Sequence, residues 1–156
     1  MKNFVIIIIL TFTSCNEVNV EKIIIFDNGN TYYLTEGYGK YHTFTTKQNN
    51  TTILTPVEFR FTIPNNTIKE LTKSYYDSGF DKIQGNKVSF VSINKKDNLN
   101  HSLTTVKIKF ENESSKEISY IGSTKYAPDS VKLFIEKARG VTQKIQDSLR
   151  IKGVYW

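Results

Sequence analysis

Side chains able to do chemistry are few in this sequence and widely spaced. The imidazoles are His42 and His101, and the single thiol is Cys15. Two histidines cannot make a His-rich metal site, and a mixed site would need carboxylates converging from elsewhere in the fold. Asp97 and His101 stand four apart, a spacing that would pair an acid and a base on one face of a helix. Asn98 and Asn100 lie between them, however, so a solvated turn is expected. His42 falls in an alternating stretch beside Phe44 and reads as a half-buried structural histidine. Glu36, Glu58, Asp77 and Asp81 could flank a glycosidic bond, since paired carboxylates are how such bonds are usually hydrolysed. They lie on separate elements and are expected on the solvated surface. No G-x-S-x-G, P-loop or H-E-x-x-H pattern is present. No catalytic residue, metal site or cofactor is therefore assigned, and a non-enzymatic role is favoured.

The tyrosines are more suggestive. Tyr32, Tyr33, Tyr38 and Tyr41 fall within ten residues on neighbouring predicted strands. Exposed rings of this kind stack on sugars or anchor protein interfaces. Strand alternation sends Tyr32 and Tyr33 to opposite faces, so one of that pair belongs to the core. Tyr33, Tyr38 and Tyr41 are the candidate ligand-binding residues.

The elements that would position them read as α+β. Ile23 to Phe26 and Thr31 to Leu34 are β-branched and aromatic, and Asp27-Asn28-Gly29-Asn30 between them predicts a hairpin. Gly37 and Gly39 around Tyr38 mark a second turn or a bulge, followed by a strand over 41–47 and a turn at 48–50. Val57, Phe59, Phe61 and Ile63 alternate with Glu58, Arg60 and Thr62 as a half-buried strand. Pro64-Asn65-Asn66 offers an N-cap to a short helix bearing Ile68, Leu71 and Tyr75, closed by Gly79. Strands over 88–93, 103–110 and 118–121 follow, the second with Thr104, Val106, Ile108 and Phe110 on one face and lysines on the other. A long helix from 128–130 to Arg150 carries Val131, Phe134, Ile135, Ala138, Val141, Ile145 and Leu149 as its apolar stripe. Gly140 lies inside it and invites a kink. The expected fold is an antiparallel sheet of about six to seven strands with two helices packed on one face.

The N-terminus says where the chain lives. One lysine precedes the run FVIIIIL at residues 4–10, then Thr13-Ser14 and Cys15. That run is less than half of the roughly 20 apolar residues a spanning helix needs, and it has the shape of a secretory signal. Phe12-Thr13-Ser14-Cys15 resembles the lipobox of bacterial lipoproteins, with Phe12 where leucine is usual. The resemblance implies cleavage before Cys15 and thioether attachment of diacylglycerol. Each buried methylene would add about 0.8 kcal/mol to anchoring, and two or more chains hold stably. The alternative is an ordinary signal peptide with an unrelated cysteine beside it, but acylation also removes the oddity of a lone thiol in an oxidising compartment. The expected organisation is a signal peptide at 1–14, lipidated Cys15 with a tether at 15–20, and one α+β domain at 21–156.

Removing residues 1–14 takes one lysine from a net charge of +6 and leaves enough chain for a single core. Lysine outnumbers arginine 18 to 3 and is scattered among Thr, Ser and Asn, unlike the clustered basic face of a nucleic-acid binder. The layout FDNGNTYYL, then a Gly-Tyr turn, then IKELTKSYYDSGFDKI, then strands and a helix opening APDSVKLFIEK resembles small uncharacterised lipoproteins of Bacteroidetes-type bacteria. That resemblance implies export, a cell-envelope address and membrane attachment through Cys15, and carries no reaction with it. Two functions follow as expectations. One is a module that binds an envelope protein, as a subunit, inhibitor or immunity-like factor, through an exposed apolar or aromatic patch. The other is glycan binding or processing, with tyrosines and two carboxylates facing each other across a cleft.

Overall fold

The computed structural model describes residues 19–46, 52–91 and 103–151. The sequence Asp27-Asn28-Gly29-Asn30 makes the expected hairpin, joining β1 (Val20–Asp27) to β2 (Asn30–Tyr33). Asn28 and Gly29 both take positive φ, 51° and 77°, as the tightest two-residue turn requires. A 3₁₀ turn over Leu34–Glu36 then leads through Gly37 into β3 (Tyr38–Thr46), which pairs antiparallel with β4 (Thr52–Arg60). β4 starts earlier than its alternation suggested and ends at Arg60. Phe61 continues the pairing without strand geometry, its N–H donating to the Gly37 carbonyl at 3.0 Å. Pro56 is tolerated within β4 because that strand is the sheet edge, bonded to β3 alone.

Helix α1 (Thr67–Asp77) leaves the sheet, and β5 (Lys87–Val91), β6 (Leu103–Phe110), β7 (Ser115–Ile121) and helix α2 (Asp129–Ile151) complete the chain order. Gly79 ends α1 as expected, in the left-handed region at φ 71° with its N–H on the Tyr76 carbonyl. Asn66 does not cap α1 with its side chain. Its amide donates instead to Glu70 Oε1 at 2.7 Å. α2 passes through Gly140 without interruption.

The fold is α+β, with one seven-stranded sheet in the order β4-β3-β2-β1-β6-β7-β5. The sheet is mixed where an antiparallel one was expected. β5 pairs parallel with β7, all other pairs being antiparallel. β6 is already bonded on both sides, by β1 and β7, so β5 takes the free edge of β7 instead of forming a hairpin with its sequence neighbour.

Both helices cover one face. Ile23, Ile25, Val106, Ile108 and Ile118 point up from the central strands to meet Leu71 and Tyr75 of α1 and Phe134, Ile135 and Ala138 of α2. Burying side chains of this size stabilises by roughly 1.5–3 kcal/mol each. A polar pin crosses the same interface. Thr104 and Thr142 each donate a hydroxyl to Asp27, at 2.9 Å to its two carboxyl oxygens, and Arg139 Nε donates to Thr104 Oγ1 at 2.9 Å. Buried Lys116 is satisfied in turn by the carbonyl oxygens of Ile83 and Gly85. No described helix is long and apolar enough to cross a membrane.

Candidate functional site

No described element covers the second face of the sheet, and the strand registers map it residue by residue. One lateral row runs edge to edge as Arg60, Tyr38, Tyr33, Ile24, Lys107, Glu117 and Lys87. The next runs Glu58, Lys40, Thr31, Phe26, Thr105, Ser119 and Ser89. Leu103, Ile121 and Val91 form a third, shorter row on β6, β7 and β5.

Tyr33 and Tyr38 are direct cross-strand partners, brought together by the 3₁₀ turn between them. Their rings stack with centroids 4.4 Å apart and planes 10° from parallel. Cations gather on the pair: Lys22 Nζ lies 5.2 Å from the Tyr33 centroid, and Lys40 Nζ and the Arg60 guanidinium carbon lie 5.9 and 5.4 Å from that of Tyr38. The lysines are held by carboxylates, Lys22 by Glu36 and Lys40 by Glu58, the latter at 2.9 Å. The hydrogen bond from Lys22 lowers the Glu36 pKa, and the same bond raises that of Lys22. Glu58 likewise raises Lys40. Tyr38 is pushed up by the partial loss of its hydration and then by the charge of Glu36.

Tyr41 does not join this pair. It lies on the helix-covered face, packed on Phe59 with centroids 6.0 Å apart. Tyr32 is the fully buried member of the Tyr32-Tyr33 pair, its hydroxyl accepting from Gln146 Nε2 at 2.7 Å. His42 is exposed rather than half-buried, because its register places it on the open face, opposite Pro56 of the edge strand. Cys15, Asp97 and His101 lie outside the described residues. Glu36 and Glu58 flank the tyrosines, whereas Asp77 ends α1 and Asp81 sits in the 3₁₀ turn after it. The four acids do not share a cleft. A general acid needs its pKa held up, and Glu36 is held down. The described residues include no cluster of His, Cys, Asp and Glu able to hold a metal ion.

The sequence reading missed a band that this register exposes. Tyr38, Tyr33, Ile24 and Phe26 continue diagonally into Leu103, Ile121 and Val91, crossing from β3 to β5. Phe26 and Leu103 are each 37% exposed and Val91 59%. The available signal was the unbroken run Ile23 to Phe26. A strand wet on one face should alternate, and Ile24 and Phe26 break that rule on the wet side.

No known protein-family model matches this chain, and no curated protein matches it either.

Proposed function

We propose that this chain is a lipid-anchored lipoprotein of the bacterial cell envelope whose domain binds another protein through the open face of its sheet. The observation that carries the binding half is the continuous band from Tyr38 to Val91. It is an apolar and aromatic stripe rimmed by Lys, Arg and Glu, the anatomy of a protein interface. Tyr and Arg, the residues that most often dominate such interfaces, meet at Tyr33, Tyr38 and Arg60. The face is a sheet rather than a cleft, and the tyrosine ring faces are taken by each other and by cations. A sugar platform needs a free ring face, so the protein-binding reading is the better supported.

The anchoring half rests on Phe12-Thr13-Ser14-Cys15. Asn19, four residues after Cys15, is tied to the sheet end by the Glu111 N–H, which donates to its carbonyl at 3.0 Å. The intervening chain spans at most about 14 Å, which would hold the domain close to the bilayer.

Photo-crosslinking residues introduced at Phe26, Leu103 and, on the helix side, Leu133 test the binding reading in living cells. Expected is one stoichiometric protein adduct from Phe26 and Leu103 and none from Leu133. Adducts from Leu133 alone, or no protein adduct from the sheet face, would overturn it. For the anchor, Cys15→Ser is expected to release the protein from membranes and leave its signal uncut, whereas normal processing and retention would refute lipidation.

A further inference from the structure

Gly140 stands in the middle of α2 where the helix passes α1, and a Cβ built on it would meet nothing within 4 Å. Glycine weakens a helix interior more than any residue except proline, so the chain keeps a poor helix former beside an unfilled space. That space is a cavity of about 350 Å³ between the two helices, at the small end of ligand pockets. Its apolar lining is Ile63, Leu71, Val141 and Ile145, of which Leu71 and Ile145 belong to the core. Its charged lining is Glu70, Lys137 and Lys144.

The two lysines lie two turns apart on α2, about 10 Å along the axis, with Gly140 and Val141 between them. Glu70 is already engaged: Oε1 accepts from Asn66 at 2.7 Å and Oε2 faces Lys137 at 3.7 Å. Lys144 has no ion pair among the described residues. The cavity thus combines an apolar floor, open to solvent on one side, with an excess of positive charge at its rim.

We infer that this cavity binds a small amphipathic carboxylate, its alkyl chain over Gly140 against Ile63, Leu71 and Ile145 and its carboxylate between Lys137 and Lys144. A cation of the same size would meet two ammonium groups against the one carboxylate of Glu70, and a neutral alkane would leave Lys144 without a counter-charge. The inference is independent of the sheet-face reading, since the cavity lies on the opposite side of the sheet.

The probe is octanoate, with octanol as its uncharged control, titrated against the full chain in lipid nanodiscs. The readout is the NMR signals of isoleucine methyl groups. Saturable shifts are expected at Ile63 and Ile145 but not at Ile24 on the open face. Gly140→Leu, which fills the space, is expected to abolish them. Lys144→Gln changes an exposed side chain with no ion pair among the described residues, and is expected to weaken octanoate about tenfold while leaving octanol unchanged. Non-saturating shifts, octanol binding as tightly as octanoate, or octanoate binding unchanged by Lys144→Gln would each overturn the assignment.

Discussion

Gly39 and Phe59 are opposed across β3 and β4 so closely that a Cβ on Gly39 would lie 2.2 Å from the tip of the Phe59 ring. Phe59 lies over the glycine backbone and from there meets Tyr32, Tyr41 and Phe61 with centroids about 6 Å away. A side chain at 39 must push this ring out of its packing, and overpacking of that kind costs about 1–3 kcal/mol. Gly39→Ala is expected to lower the unfolding free energy by that amount, read as a lower urea midpoint with the m-value unchanged. A midpoint within error of the parent would show that the ring moves freely and that the close approach is incidental.

Asp27 and Thr142 are 115 residues apart in sequence and joined by one buried hydrogen bond. The Asp27 carboxyl takes its other hydroxyl from Thr104, so each threonine satisfies one oxygen. Thr142→Val or Thr104→Val leaves a buried acceptor short of a donor, at a cost of about 1–3 kcal/mol each. Because both act on one carboxyl, the double variant is expected to depart from additivity by at least about 0.5 kcal/mol. Equilibrium unfolding of the four proteins in the cycle measures this. Strict additivity would mean that the two bonds act as separate pins.

Such a pin could not be read from the chain, although its neighbours could. The β1–β2 hairpin was legible because Asn28-Gly29 supplies two positive φ angles locally. The stripe of α2 was legible because apolar spacing needs no knowledge of its partner. Tyr32 and Tyr33 parted to opposite faces by strand alternation alone. The parallel β5–β7 pair was not legible, because it depends on which edges are already occupied, a property of the assembled sheet. Tyr41 was grouped with Tyr33 and Tyr38 by nearness in sequence, but Tyr38 to Tyr41 is an odd step along one strand and ends on the other face. The inter-helix cavity left a single trace, Gly140, which reads from sequence as a weak point and in three dimensions as a vacancy.

That vacancy gives a stability prediction of its own. Gly140 has ordinary helical backbone and an open Cβ direction, so alanine there would keep the fold and reduce the freedom of the unfolded chain. Gly140→Ala is expected to stabilise by about 0.4–1 kcal/mol, raising the melting temperature by roughly 1–4 °C for a domain of this length. Calorimetry decides it. A lower melting temperature would mean that the helix bends at 140 in solution and uses the glycine.

Tyr75 of α1 is 3% exposed, packed among Phe80, Phe110 and Phe134, and its burial followed by the nearby charges of Asp81 and Tyr76 pushes its pKa up to about 12. In the unfolded chain the same phenol titrates near 10. Between those values the folded protein keeps the proton and the unfolded chain has lost it, so stability falls as pH rises. Below pH 10 both states are protonated and this residue contributes no slope. Two pKa units set an upper bound of about 2–3 kcal/mol lost by pH 12, reduced by whatever solvent screening the phenol keeps. Tyr32, raised by its own burial, acts in the same direction, so part of the fall belongs to it. Tyr75→Phe is therefore expected to flatten the stability profile between pH 10 and 12 without abolishing its slope, as measured by urea unfolding at fixed pH values. An unchanged slope in that variant would mean that Tyr75 ionises in the folded state as readily as in water, and that the ring cluster around it opens before the domain does.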